Sequence, residues 1–291
     1  MNFDTSTNTL HRQLFGWLAV FSSTFCFYFA TVILRWSESE VNVESSYFVF
    51  ARFLLGFIIV STTMLIQRQP IRPKNYHFLL GRTIANAVAV FCFYKAVAVG
   101  TVSEANILNM TYPLFVALFS WFFLKNQRDM FSVVVVIIAF VGVWLVLSPS
   151  DITSSMGNVW GIISGVSAAA AIIYLNVSRR YHDSQTILFV LFGVGAVLIY
   201  GLFHDVIFWP DKKEFGYLFA CSAVGVAGQY LLTYGFLFVT AVEGSIISSS
   251  RILLAALLGP IIVGDPQLTV LGWCGALLIF GANAVLAMRK S

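Results

Sequence analysis

The sequence predicts an all-α membrane protein whose ten transmembrane helices form two inverted five-helix repeats around a central cavity. Hydrophobic residues make up 59% of the chain and charged residues 10%, whereas an average soluble domain carries about 25% charge. Ten separate apolar stretches can be drawn, each long enough to cross a bilayer as a helix, which takes about 20 residues. The two halves also show weak internal similarity.

Ten spans, separated by polar, charged or Gly- and Pro-containing segments, account for most of the chain. They are predicted at 14–35, 46–66, 77–98, 102–124, 130–148, 157–178, 185–203, 215–239, 242–263 and 267–288. The Ser-rich connection at 148–156 is the best boundary, so 1–149 and 150–291 become the two repeats. Because each repeat has an odd number of spans, the second must enter the membrane from the opposite side.

An offset of 140 residues aligns the two halves. Tyr94 then aligns with Tyr234 and Val99 with Val239, and both copies place a very short connection between two apolar spans. Few residues are identical, but the agreement of span and hairpin lengths supports an internal repeat.

Lysine and arginine concentrate on one side of the predicted membrane. That side holds Arg12, Arg68, Arg72, Lys74, Lys125, Arg128, Arg179, Arg180, Arg289 and Lys290, with Arg82 close by. The other side holds Arg35, Lys212 and Lys213. By the positive-inside rule we expect an integral protein of a bacterial inner membrane with both termini in the cytoplasm.

Several function classes lack their sequence signals. The chain has no phosphate-binding Gly-x-x-x-x-Gly-Lys-Ser/Thr loop, no His-Glu-x-x-His, and no nucleophile beside a base at a recognisable spacing. The four cysteines fall inside apolar spans without metal-ligand spacing. We therefore predict a protein that is not an enzyme, needs no cofactor or metal, and binds no nucleic acid. Its expected partners are a small-molecule substrate and the bilayer, and it is expected as a monomer or homodimer.

Arg251 lies close to the middle of the predicted span 242–263. A cation there costs at least about 2.5–3.5 kcal/mol on insertion scales, so it must face a protein interior or a watery cavity. Its helical face is otherwise small or polar, comprising Gly244, Ser248, Ala255 and Gly259. Arg251 either binds a substrate anion or pairs with a carboxylate elsewhere in the bundle and fixes packing.

Other polar residues recur at helical spacing within the spans. The candidate substrate-binding residues are Arg251, Asn109, Tyr112, Tyr94, Gln229, Tyr234, Tyr174 and Ser248. Their alternative role is to hydrogen-bond across helix interfaces, for about 0.6 kcal/mol each. Glu104 and Glu243, at nearly matching positions in the two halves, are candidates for ion coupling, or else carboxylates that interact with helix macrodipoles.

Three further features concern packing. The face formed by Gly157, Gly161 and Gly165 predicts close contact with another span of the bundle, or alternatively a dimer face. Pro113 and Pro260, in corresponding spans, can each kink a helix. Arg52 is expected to pair with Glu44 or Glu104.

The chain resembles a known family, the EamA-type members of the drug/metabolite transporter superfamily. The similarity is carried by the segment 51–56, Ala-Arg-Phe-Leu-Leu-Gly, and by the segment 93–115, which ends in Tyr-Pro-Leu-Phe. It covers nearly the whole chain. The family pattern differs here in three ways: Lys125 and Asp265-Pro266 stand near the usual Gly-Glu pairs, Leu253 takes the place corresponding to Pro113, and Arg251 is not a general feature.

The resemblance implies a central cavity lined mainly by spans 1, 3, 4, 6, 8 and 9, with spans 5 and 10 at the edge. It also implies export or exchange of small metabolites such as amino acids. We therefore predict a secondary transporter of a small polar metabolite. A nucleobase, nucleoside or cofactor-like aromatic substrate is the alternative within transport, and a channel or membrane scaffold is the alternative outside it.

Overall fold

The computed structural model describes residues 4–68, 70–71, 74–123, 130–147, 155–239 and 241–289, and within them it is helical without β-strands. The first half contains α1 (Asp4–Glu38), α2 (Ser45–Ile66), α3 (Tyr76–Val99), α4 (Val102–Asn109), α5 (Tyr112–Phe123) and α6 (Met130–Leu147). The second half contains α7 (Ser155–Ser178), α8 (Ser184–Phe203), α9 (Lys212–Gly235), α10 (Ala241–Ile262) and α11 (Val270–Arg289). A short 3₁₀ turn, His204–Val206, follows α8.

Each predicted span overlaps one helix, except that the fourth is broken into α4 and α5. The break falls at Met110 and Thr111, immediately before Pro113. The ring of a proline clashes with the carbonyl four residues earlier, here that of Asn109, where α4 ends. Thr111 supports the turn, since its hydroxyl donates a hydrogen bond of 2.6 Å to the Leu108 carbonyl. In α10, by contrast, Pro260 lies in the last turn of one continuous helix.

Within the described residues, six helices are long and apolar enough to cross a membrane. These segments are Gln13–Glu38, Ser45–Ile66, Tyr76–Val99, Met156–Ser178, Ser184–Val206 and Lys212–Gly235. Shorter apolar stretches occur in α6, α10 and α11, at Val134–Val146, Ile247–Ile262 and Val270–Val285. Large side chains such as Leu65, Ile66, Val197, Leu202 and Ile261 are more than two-thirds exposed. Such surfaces suit lipid, which solvates apolar groups as well as a protein core does.

Helices pack mainly against partners from the other half of the chain. The extensive pairs are α3 with α7, α1 with α9, α2 with α8, and α6 with α11. Pairing of α2 with α9 is matched by that of α3 with α8, and pairing of α1 with α10 by that of α4 and α5 with α7. When each helix is exchanged with its counterpart in the other half, this set of contacts maps onto itself.

The glycine face of α7 is used inside the chain. A Cβ atom added at Gly157 would lie 3.0 Å from the Cα of Gly100, and one at Gly161 would lie 2.8 Å from the Cδ1 of Leu108. One at Gly165 would lie 2.7 Å from the Oγ1 of Thr111. Larger residues would force α7 away from α4 and from the break that follows it. The stripe therefore packs against the bundle and is not available as a dimer face.

The start of α4 is held by a carboxylate from the connection between α10 and α11. The Oδ2 atom of buried Asp265 accepts a hydrogen bond of 2.8 Å from the backbone N–H of Ser103. The Ser103 hydroxyl lies 2.9 Å from the same oxygen and 3.0 Å from the carbonyl of Ala255. A carboxylate is favourable at a helix N-terminus, where backbone N–H groups are unpaired.

We expect Asp265→Ala to lower the stability of the folded protein by about 1–3 kcal/mol, because the buried N–H of Ser103 loses its acceptor. Asp205→Ala is the matched control, since Asp205 forms only an exposed ion pair with His204. The measurement is the melting temperature of the purified proteins in the same detergent. Equal melting temperatures for the two variants would show that Asp265 does not secure α4.

Candidate functional site

A cavity lies among α1, α2, α3, α7, α9, α10 and the break between α4 and α5. Its volume is about 100 Å³, which is room for several water molecules. Asn109, Met110 and Tyr112, around the break, all line it. Interrupted helices of this kind recur at the binding sites of secondary transporters, because they expose backbone groups and helix ends to the ligand.

The cavity lining contains five of the eight predicted substrate-binding residues. These are Arg251, Asn109, Tyr112, Gln229 and Ser248. Gln229 is buried and lies 3.4 Å, from Nε2 to Oγ1, from Thr233 one turn later. The hydroxyl of Ser248 is buried and has no hydrogen-bond partner among the described atoms. It is one turn from Arg251 on the same face of α10, so it can donate to or accept from a ligand.

The other three predicted residues lie away from the cavity lining. Tyr94 is fully buried in the core, where its hydroxyl lies 3.4 Å from Nη1 of Arg52. Tyr234 stacks on Tyr230 and accepts a hydrogen bond of 2.8 Å from Gln185, which directs it towards α8. Tyr174 is 37% exposed. Its ring packs against Gly81 of α3, where an added Cβ atom would lie 2.5 Å from the Tyr174 Cε1.

Arg251 is held at the cavity by an ordered set of polar contacts. It is 4% exposed, and its Nη2 donates a hydrogen bond to the side-chain oxygen of Asn109. The Nδ2 of Asn109 donates to Ser164 at 2.6 Å, and the Ser164 hydroxyl donates to the Ala89 carbonyl at 2.8 Å. This series of hydrogen bonds fixes the orientation of the Asn109 amide, so that its oxygen faces the guanidinium of Arg251. The Arg251 Nε has no partner among the described atoms.

Aromatic rings supply the rest of the surroundings of Arg251. Its Cζ lies 5.1 Å from the ring centroid of Phe93 and 5.8 Å from that of Phe27. Ring faces attract cations, by about 2 kcal/mol or more where water is excluded. The predicted alternative, a structural pair with a carboxylate, is not found among the described residues, where the Arg251 guanidinium bonds to an amide and contacts rings.

Arg52 of α2 also lines the cavity, although the sequence analysis assigned it a structural pair. It is 4% exposed, and its Cζ lies 5.2 Å from the ring centroid of Phe27. It pairs with neither Glu44 nor Glu104 in the described structure. Glu44 accepts a hydrogen bond from Ser46 instead, and Glu104 lies in the first turn of α4. Span 2, which was not among the spans expected to line the cavity, therefore contributes a cation to it.

Arg82 and Asn86 of α3 were not among the candidate substrate-binding residues. Both line the cavity, and Arg82 is 2% exposed with no described partner for its Nε. Arg82 was expected near the cytoplasmic loops, because it follows them closely in the sequence. The sequence feature that could have indicated their place is the helical spacing from Arg82 to Asn86 and on to Phe93. This spacing puts the three residues on the face that lines the cavity.

The described cavity lining is strongly cationic. It contains three buried arginines, Arg52, Arg82 and Arg251, and no described lining residue is Asp or Glu. Desolvation of a guanidinium is costly unless an anion, water or polar groups compensate it. The polar groups here are neutral, so the arrangement favours an anionic ligand.

The candidate coupling residues occupy helix starts. The backbone N–H of Glu104 donates a hydrogen bond of 3.1 Å to the side chain of Thr101, the N-cap of α4. Glu104 is outside the cavity lining, in the position expected for a carboxylate that stabilises a helix N-terminus. The side chain of Glu243 lies outside the described residues. Ion coupling by either residue stays a prediction.

Comparison with known proteins identifies relatives over nearly the whole length. A model of the EamA-like transporter family matches residues 14–148 and again 155–288. The "Pseudopaline exporter CntI" of Pseudomonas aeruginosa is 26% identical over 75% of this chain and 77% of its own length. An "Uncharacterized transporter" of Helicobacter pylori is 26% identical over 85% of this chain and 88% of its own length.

A more distant relative and a solved structure extend the similarity. "Solute carrier family 35 member G1" of Homo sapiens is 22% identical over 92% of this chain and 77% of its own length. A crystal structure superimposes with a TM-score of 0.61 at 18% identity, covering 95% of this chain and 98% of its own. That structure shows the fold alone. With the family model matching both halves, this chain belongs to the EamA-like transporter family.

Proposed function

We propose that this protein is a secondary transporter of a small polar metabolite bearing an acid group. The observation that carries the proposal is the buried guanidinium of Arg251 at the cavity, held by Asn109 and without a described carboxylate partner. Arginine presents a planar fork that binds a carboxylate or phosphate in bidentate fashion. The Nε of Arg251 and the hydroxyl of Ser248, which have no hydrogen-bond partner among the described atoms, are further donors for such a ligand.

The proposed mechanism is alternating access about a pseudo-two-fold axis that relates the repeats 1–149 and 150–291. The two matches to one family model support this division, as does the packing pattern that is unchanged when the halves are exchanged. In this proposal all ten spans cross the membrane, including those of α6, α10 and α11, whose described apolar stretches are shorter. The two halves rock about the bound substrate.

We propose export as the direction, with both termini in the cytoplasm of a bacterial cell and the protein in its inner membrane. One of the relatives is named as an exporter, and the excess of Lys and Arg in alternate connections supports the orientation. An aromatic substrate is less well supported. Of the four candidate tyrosines, whose rings could stack on it, Tyr94, Tyr174 and Tyr234 are away from the cavity lining, and guanidiniums lie over Phe27 and Phe93.

We expect Arg251→Gln to reduce counterflow of labelled glutamate and succinate in proteoliposomes by at least about tenfold, with a normal size-exclusion profile. Arg251→Lys should also be impaired, because the charge remains but the fork is lost. Arg180→Gln, which changes an exposed arginine after α7, is the control. If Arg251→Gln transports at the rate of Arg180→Gln, Arg251 is not a substrate ligand.

We expect Asn109→Asp to raise the stability of the ligand-free protein by about 1–3 kcal/mol, because a carboxylate beside Arg251 compensates its charge. The same change should abolish the stabilisation by added anions, since Arg251 is then already neutralised. Asn75→Asp, at an exposed position before α3, is the control. The measurement is the melting temperature with and without glutamate or succinate. Unchanged stabilisation by these anions would contradict the proposed site.

We expect a cysteine placed at Lys212, but not one placed at Arg180, to react with an impermeant maleimide on intact cells. Both positions are exposed, and α8 lies between them in the sequence. The background is a variant in which Cys26, Cys92, Cys221 and Cys274 are replaced. Permeabilised cells, in which both positions should react, serve as the control. The reverse pattern on intact cells would invert the proposed topology.

A further inference from the structure

We infer that the substrate carries two anionic groups, carboxylates or phosphates, and that Arg251 and Arg52 each bind one of them. This inference rests on the proposed function, which needs only one acid group and one arginine. It adds a second ligand residue, on α2, and a substrate class. The starting observation is that both guanidiniums lie over one ring, that of Phe27.

The shared ring limits the distance between the two cations. The Cζ of Arg52 lies 5.2 Å and that of Arg251 5.8 Å from the Phe27 centroid. Because both distances are measured to the same centroid, the two Cζ atoms are at most about 11 Å apart. Both side chains are 4% exposed and both line the same cavity. A single small molecule with an acid group at each end can therefore reach both.

The charge of the site requires more than one anionic group. Arg82 adds a third buried cation at the same cavity, and no described lining residue is acidic. A monoanion bound at Arg251 would leave the charge of Arg52 uncompensated, since the described polar and aromatic contacts of that guanidinium are with Tyr94 and the ring of Phe27. A second acid group on the ligand neutralises a second buried guanidinium and so reduces the repulsion between the cations. A dianion should therefore bind more tightly than its monoanionic analogue.

Packing of α2 against α9 sets the position of the Arg52 side chain. A Cβ atom added at Gly225 of α9 would lie 3.1 Å from both Cδ and Nε of Arg52, and 3.4 Å from its Cζ. Gly225 thus provides the space through which Arg52 reaches the cavity. Gly216, on the same helix, has nothing within 4 Å of an added Cβ. The two glycines form a matched pair, because alanine improves helix propensity equally at both.

The experiment compares anions by their effect on the melting temperature of the purified full-length protein at constant ionic strength. Succinate and glutarate, with two carboxylates, and pyrophosphate, with two phosphate groups, are tested against the monoanions butyrate and chloride. We expect the compounds with two acid groups to stabilise the wild-type protein at concentrations about tenfold lower than butyrate. The preference between the dicarboxylates and pyrophosphate distinguishes the two kinds of acid group.

Arg52→Gln should remove the advantage of succinate over butyrate while leaving the response to butyrate. It should not lower the melting temperature of the ligand-free protein, because it removes a buried charge that has no carboxylate partner among the described residues. Gly225→Ala should weaken the response to succinate by displacing Arg52, with its charge kept. Gly216→Ala should behave as wild type. A purely structural role of Arg52 predicts the opposite, namely loss of stability with the dianion preference intact.

The outcomes separate this inference from the proposed function. If dianions and butyrate stabilise wild type equally, or if Arg52→Gln keeps the preference for succinate, the inference is overturned. The proposed function then stands, provided that Arg251→Gln loses the response to every anion. If Arg251→Gln keeps all the anion responses, the proposed site falls as well. If no anion of the set stabilises wild type, the two-anion inference is overturned.

Discussion

The cost of burying a guanidinium within a membrane protein explains much of this molecule. Arg251 is almost fully buried, and its charge is met by an amide oxygen and two ring faces. The amide of Asn109 is itself oriented by Ser164 of α7, and it lies at the end of α4 because Pro113 interrupts the span there. One buried cation therefore links the helix break, the glycine contact of α7 and the cavity.

The cavity reverses the usual balance of charge inside proteins. Buried cations normally have carboxylate partners, since each uncompensated charge destabilises the fold. Here the described lining offers neutral hydrogen-bonding groups and rings around Arg52, Arg82 and Arg251. Neutral partners hold the guanidiniums of Arg52 and Arg251 in place but leave their charge available. A binding site of this type trades stability in the empty state for attraction towards an anion.

The sequence predicted the helices well because hydropathy and length are local properties. It located Arg251 and Asn109 because a charge or an amide in the middle of an apolar span is conspicuous. It could not place Tyr94 or Tyr174, since tyrosine occurs on core, lipid-facing and cavity-facing sides of a helix alike. Arg52 and Arg82 lie nearer the ends of their spans, where arginine usually extends to the membrane surface. Only the packing of α2 and α3 directs them inward.

The interleaving of the two halves has a consequence for biogenesis. The first helix packs on α9, the second on α8 and the third on α7, so the first half lacks its main partners while the ribosome is still translating. Long-range contacts of this kind form late. The buried faces of the early helices, Arg52 and Arg82 among them, must be shielded by the insertion machinery or by water until α7 to α10 follow. The cationic cavity is therefore completed among the last parts of the protein.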